Sequence, residues 1–325
     1  MSVSGGGEGV GAGEGTGVSV SVAFAGVAHS HPFTDAANLT ALGAEVAGVW
    51  DADDADRLSA FAERFRAPVV ADLDALLSLR PDVVVATPRT ARAADVASAC
   101  AAAGVPVFLN KTIATSAAGL RRFEELRGAA RWASSSVLRF APEAVAFGYR
   151  MRAERPLSIQ VAAQHDIGGF LTPERRWQDE HDGAGGTLLN IGIHAFELLD
   201  LVTGGDGIEI VGGTVERGAL DTRSESAGLV WARTSGGVPV TVSVSGVPGP
   251  DEYSVRIVAE SGVHTLALGD ASDLGYAALA AAVVRFAAGG DTPVVRERTL
   301  AVYRTALLAA AVARGALPET VGARA

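Results

Sequence analysis

In 325 residues the sequence has one cysteine, Cys100, and one lysine, Lys111. A single thiol excludes an intrachain disulfide and any zinc site built from several cysteines. Positive charge is scarce as a whole: Lys and Arg number 27 against 37 Asp and Glu, a formal net charge of −10. A chain this acidic, with no dense Lys/Arg run, is not expected to bind nucleic acid or an anionic membrane. Long apolar runs are missing too. The best candidates, Tyr276–Ala288 and Ala306–Ala313, are Ala-rich and short of the ~18 residues of a membrane span, and Arg285 breaks the first. Residues 1–17 lack a basic segment followed by an apolar core, so no secretory signal is expected and the cytoplasm is the expected location.

What is present is globular: 48% hydrophobic and 20% charged residues, in a chain long enough for two domains. Residues 1–17, rich in Gly and Ser, read as a disordered tail. From Val18 onward, apolar β-type runs alternate with helical patterns. Strands are expected at Val18–Ala25, Glu45–Trp50, Pro68–Val70, Asp82–Ala86 and Val105–Leu109. Helices are expected at Phe33–Leu42, Asp53–Phe65, Leu73–Leu79 and Ala91–Ala103. Short connections and continuous apolar strands predict parallel βαβ units, a Rossmann-like doubly wound sheet spanning 18–138. Beyond Arg139 the pattern changes. Leu157–Ala163 reads as a strand and Gly185–Thr203 as a helix. Five further runs at hairpin spacing between Glu209 and Leu268 predict a mainly antiparallel open sheet. The second domain is thus α+β and covers 139–325. Two helices, near Ala277–Ala288 and Thr299–Arg314, close the chain, the last able to pack back on the first domain.

The chemistry-bearing residues collect at the ends of these strands. The first βα turn, Gly26-Val-Ala28-His29-Ser30-His31, stands where a dinucleotide-binding fold places its glycine-rich phosphate loop, with Ala28 and His31 in place of the second and third glycines. Asp51 ends the second strand, where an acidic residue takes ribose hydroxyls and disfavours a 2′-phosphate. This favours NAD over NADP; the competing reading is a helix cap. His29 and His31 as a metal pair would need a third ligand from elsewhere, and no metal site is expected. Thr87-Pro88 fixes the turn after the next strand at that edge, and Asn110-Lys111-Thr112 follows the one after. A lysine there can hold a substrate hydroxyl or protonate a carbonyl oxygen; otherwise it is a solvated loop residue. In Gly185–Glu197, Asn190, His194 and Glu197 fall at i, i+4 and i+7 on one helical face. His194 is read either as an acid/base group or as a buried tie between helix and sheet.

Taken in order, Phe24–His31, Asp51, Ala86-Thr-Pro88, Phe108-Leu-Asn-Lys-Thr112, Arg139-Phe-Ala-Pro142 and Gly185–Glu197 resemble the Gfo/Idh/MocA oxidoreductase family over nearly the whole chain, from Val18 to about Arg314. The resemblance implies an N-terminal nicotinamide-binding domain and a C-terminal domain whose open sheet face often mediates oligomers. A homodimer or homotetramer through that sheet is therefore expected, with a sugar, cyclitol or related small polar metabolite as substrate. Against the family pattern, the phosphate loop loses glycines and Glu-Lys-Pro becomes Asn110-Lys111-Thr112, without the proline that allows a cis peptide. The family's Asp before the histidine becomes Asn190, and a histidine frequent after the Thr-Pro turn becomes Arg92. An amide cannot accept a proton, so Asn190 orients substrate while Lys111 and His194 remain as proton carriers. This pattern suits reduction of a ketone or imine by NADH. Gln164, His165, Trp177 and His181 are the expected substrate-side residues, Trp177 reading equally as a domain-interface hydrophobe. Two other classes remain open: a redox-neutral epimerase or lyase retaining its NAD, and a non-catalytic sugar-binding regulator.

Overall fold

The structure is a computed structural model and describes residues 19–27, 29, 31–126, 131–218 and 220–315. The expected tail at 1–17, together with Ala28 and Ser30, lies outside the described residues.

The first sheet has five parallel strands in the order β2-β1-β3-β4-β5: β1 Ser21–Ala25, β2 Glu45–Trp50, β3 Val83–Ala86, β4 Val107–Asn110 and β5 Trp132–Ser135. Strands β3, β4 and β5 are buried along their whole length, as strands covered on both faces must be. The connecting helices are α1 His31–Ala41, α2 Ala55–Phe65, α3 Leu73–Ser78, α4 Thr90–Ala103 and α5 Ala117–Glu125. Asp54 caps α2 by accepting from the Arg57 amide at 3.0 Å, worth about 1 kcal/mol. The cap reading of Asp51 therefore passes to its neighbour.

Pro68–Val70 does not form the expected strand. Val69 makes one parallel bridge to Val49 beyond the sheet edge, since the run is short, Pro68 lacks an N–H and Val69 is exposed. The fifth strand is instead β5, whose polar Trp-Ala-Ser-Ser sequence carries little strand signal. Thr87-Pro88 and Asn110-Lys111-Thr112 accordingly follow the third and fourth strands.

The second sheet has six strands in the order β11-β10-β6-β9-β8-β7: β6 Pro156–His165, β7 Ile208–Glu216, β8 Ala227–Thr234, β9 Pro239–Gly246, β10 Glu252–Ala259 and β11 Gly262–Gly269. All pairs are antiparallel except β6 with β9. Its inner face packs on α6 Pro142–Met151, α7 Thr187–Asn190 and α8 Gly192–Thr203. The expected single helix at 185–203 is broken at Ile191, where the His194 amide bonds the Ile191 carbonyl (3.0 Å). Helix α9 Tyr276–Ala287 packs on α1, and α10 Arg296–Ala313 packs on β7, α8, α5 and β5. The carboxyl ends of β1, β3 and β4 thereby face the loop between β6 and α7.

A buried polar crevice at the carboxyl edge of the parallel sheet

Strand order reverses between β1 and β3, the place where an open α/β sheet binds its ligand. Gly26 ends β1 with φ +94°, and a Cβ there would stand 2.5 Å from Pro88 Cα, so only glycine lets this turn pack against Thr87-Pro88. The Asp51 carboxylate bonds the Val27 amide across the crevice and accepts from the Asp53 and Asp54 amides at 2.6 and 2.9 Å. Arg57 ties the same loop down through the Val27 and His29 carbonyls (2.9 and 2.8 Å). His29 and His31 stack with centroids 4.5 Å apart, and His31 Nδ1 lies 3.1 Å from the Tyr276 hydroxyl of α9. Burial and the neighbouring cations hold both imidazoles below their ordinary range, His31 at about 3. Thr87 Oγ1 and Thr112 Oγ1 are buried without a hydrogen-bond partner among the described residues.

Lys111 is buried at the end of β4. Its Nζ contacts the Asn190 carbonyl and Oδ1 at 3.2 and 3.3 Å, while Asn190 Nδ2 donates to the Gln178 carbonyl at 3.3 Å. Burial, then the like charge of Arg175, lowers the ammonium to about 8. The Lys111–Thr112 peptide is cis, contrary to the expectation drawn from the missing proline. Asn110 accepts from the Lys111 amide (2.8 Å) and donates to Asp35 Oδ2 (3.3 Å); burial pushes that carboxyl up to about 7. His194 Nδ1 lies 2.6 Å from Ser136 Oγ, and burial and Lys111 keep the ring well below its ordinary value, hence neutral. Glu197, the third residue of the motif, pairs with buried Arg139, which also holds Asp200 at 2.6 Å. Glu197 thus serves the domain junction.

The substrate-side expectations divide. His165 borders a cavity of about 350 Å³ and pairs through Nδ1 with Asp251 (2.6 Å); the Tyr253 hydroxyl lies 3.4 Å from the same nitrogen, and the Tyr253 ring packs on His194. Gln164, one residue earlier, points to the opposite sheet face, where it bonds Ser245 (2.6 Å) and the Val247 carbonyl (3.1 Å). Strand alternation makes this unavoidable. His181 is committed to Glu225 (2.7 Å), which Arg314 at the end of α10 also holds (2.6 Å). Trp177 lies beneath the Arg89 guanidinium and lines a separate cavity of about 440 Å³ with Arg176 and Arg223. Sequence reasoning missed Arg175, Gln178, Asp251, Tyr253 and Tyr276, which sit in loops or at element ends without a motif.

The profile "Oxidoreductase family, NAD-binding Rossmann fold" matches residues 20–130, and the "GFO/IDH/MocA C-terminal domain" profile matches 155–264. No curated protein matches the sequence. Among solved structures, GenD2 from gentamicin A biosynthesis in complex with NAD is 22% identical with a TM-score of 0.80, covering 91% of this chain and 95% of its own. The WlbA dehydrogenase from Bordetella pertussis, in complex with NADH and UDP-GlcNAcA, is 16% identical at 0.79, covering 91% and 96%. A myo-inositol 2-dehydrogenase from Lactobacillus plantarum is 12% identical at 0.78, covering 91% and 97%. At these identities the structures speak for the fold; the two consecutive profile matches, in the order that the two sheets occupy, make the chain a member of the Gfo/Idh/MocA family of NAD-binding oxidoreductases.

Proposed function

We propose that the chain is an NAD(H)-dependent reductase of a ketone or imine carried by a sugar, cyclitol or related small polar metabolite. The observation that carries this reading is Lys111: a buried ammonium at the carboxyl edge of β4, lowered to about 8 and aimed at Asn190. A proton carrier whose pKa lies near the working pH is what general acid catalysis requires.

The crevice fits a nicotinamide dinucleotide. The close Gly26–Pro88 approach shapes it, and the unpartnered Thr87 and Thr112 hydroxyls leave donors for a ligand. When bound, the cofactor supplies the hydride. The Gly26–His31 turn and the amino end of α1 would hold its pyrophosphate, a role that extends to Ala28 and Ser30. Asp51 would take the adenosine ribose hydroxyls and repel a 2′-phosphate, and Thr87, Pro88 and Asn110 would line the remaining wall. Lys111 would protonate the carbonyl oxygen or the imine nitrogen, Asn190 would orient that group, and His194, neutral and held by Ser136, would donate or accept a positioning hydrogen bond. The two solved dehydrogenase structures of similar fold agree with this class of substrate.

A second reading has its own observation. The His165–Asp251 pair puts another proton carrier in the same region. A redox-neutral epimerisation or elimination with retained dinucleotide would use two. Dinucleotide that copurifies and is not consumed distinguishes that case.

The test is calorimetric titration with NAD+, NADH and NADPH after a check for copurified nucleotide. NADH is expected to bind at least about tenfold tighter than NADPH. Lys111→Ala is expected to keep NADH binding and lose about 10²–10⁴-fold in turnover. Absence of both binding and bound nucleotide overturns the oxidoreductase reading in favour of a sugar-binding protein.

A further inference from the structure

We propose that the substrate is an acid and that Arg175 binds its carboxylate. This rests on the reading of the crevice as an oxidoreductase site and narrows the substrate class.

The argument begins with counter-ions. The other arginines around the second domain's crevice have carboxylate partners: Arg139 with Glu197 and Asp200, Arg176 with Asp221, Arg223 with Glu180, Arg314 with Glu225. Lys111 and Arg175 have none among the described residues. Lys111 meets only neutral oxygens of Asn190. Arg175 is half-buried, with its guanidinium 5.2 Å from the Phe170 ring centroid. With the Gln178 amide oriented to satisfy its neighbours, the Gln178 side-chain oxygen accepts from Arg175 Nε at 2.9 Å and from Nη2 at 3.3 Å. Arg175 Nη1 has no hydrogen-bond partner among the described residues, so one arm of a planar fork suited to carboxylate remains unused.

The two cations belong to one network. Lys111 contacts Asn190, Asn190 donates to the Gln178 carbonyl, and the Gln178 side chain holds Arg175. They are near enough for Arg175 to depress the Lys111 ammonium, and burial with Arg57 lowers Arg175 itself. Carboxylates in the neighbourhood compensate only in part: Asp251 favours the Lys111 ammonium through space but forms no ion pair with Lys111 or Arg175 among the described residues. Asp251 is engaged by His165 and by the Asp166 amide (2.9 Å). Asp166 and Asp270 stand exposed at the mouth of the cavity, where water screens them. Burial pushes the Asp35 carboxyl up to about 7, and Asn110 holds it.

Two poorly solvated like charges are costly unless a ligand supplies the opposite charge. Asn190 sharpens the point, since a carboxylate there would neutralise Lys111 internally. The cavity beside Arg175, about 350 Å³ and bordered also by His165 and Gly249, accommodates one hexose-sized acid.

The experiment is calorimetry on the NADH-loaded protein with matched probes, hexuronates and their parent hexoses, starting with D-glucuronate against D-glucose. In the wild type at least one uronate is expected to bind about 10–100-fold tighter than its hexose. Arg175→Gln removes that preference while NADH affinity stays within about twofold, and Arg175→Lys restores part of it. The proposal is overturned when no uronate outbinds its hexose. It is equally overturned when Arg175→Gln weakens NADH and spares the uronate preference, which would make the cofactor pyrophosphate the missing counter-ion. Failure of the wild type to bind NADH defeats the oxidoreductase reading separately. The uronate comparison then runs on the unloaded protein and is scored by the same two outcomes.

Discussion

At Lys111 the surroundings of one residue set the pH range expected of the proposed reduction. Its ammonium is destabilised first by burial and next by Arg175, so it titrates near 8 instead of its ordinary value above 10. Below that pH the donor carries its proton; above it the amine has none to give. Carbonyl reduction is therefore expected to be flat in the acid range and to fall as pH rises through about 8. In Arg175→Gln the falling limb moves to higher pH, because the repelling charge is gone while burial remains. A pH–rate profile of the two proteins checks this, and an unmoved limb would mean that Arg175 does not act on Lys111. The lysine and its position after a strand were legible in the sequence. Its acidity was not, because the burial that causes most of it comes only with the completed fold, and the second cause, Arg175, stands 64 positions away along the chain in a loop with no periodic signal.

At the scale of elements, α10 fixes the turn that carries Lys111. The Ile113 amide donates to the Tyr303 hydroxyl at 3.1 Å, with both groups buried, and Thr299 Oγ1 donates to the Ser134 carbonyl at 3.0 Å. Tyr303→Phe leaves the Ile113 N–H unsatisfied and is expected to cost about 1–3 kcal/mol of stability. It should also lower turnover more than NADH affinity, since the 110–113 turn loses its support. Thermal unfolding and steady-state kinetics measure the two effects. Helix α10 was legible from its apolar pattern, and its packing against the first domain was among the expectations; the Tyr303–Ile113 bond that ties it to the Lys111 turn was not, because it depends on long-range packing. The same limit explains β5. Trp-Ala-Ser-Ser lacks the Val/Ile signature of a buried strand, yet β4 supplies its ladder and α5 with α10 cover it. Conversely, Pro68–Val70 has the composition of a strand and makes one bridge, because the run is short and Pro68 has no N–H to give.

At the scale of the whole molecule, two sheets of opposite character meet at a polar crevice, and no described helix covers the second sheet's outer face. Among the described residues helices cover only its inner face, and Trp231, Val211 and Val263 are 43–57% exposed on strands β8, β7 and β11. An uncovered face with exposed large apolar side chains fits an isologous contact between two copies. Trp231→Glu is expected to shift an oligomer to monomer with little change in unfolding temperature. Sedimentation velocity decides, and a monomeric wild type defeats the expectation. No described helix is long and apolar enough to cross a membrane.

By itself the sequence determined the two-part architecture, the glycine turn, Asp51, Thr87-Pro88, Lys111 and the Asn190–His194 helix. These follow from local rules: hydrophobic period, helix stops, and motif residues at strand ends. Tertiary structure decided which of the candidate side chains share a space. It sent Gln164 to the far sheet face by strand alternation, gave His181 to Glu225, and broke the motif helix at Ile191. It also brought Arg175, Gln178, Asp251, Tyr253 and Tyr276 to the crevice from distant loops and strand or helix ends. Electrostatic neighbourhoods and hydrogen-bond partners are set by distance in space, and the order of residues along the chain fixes that distance only through the completed fold.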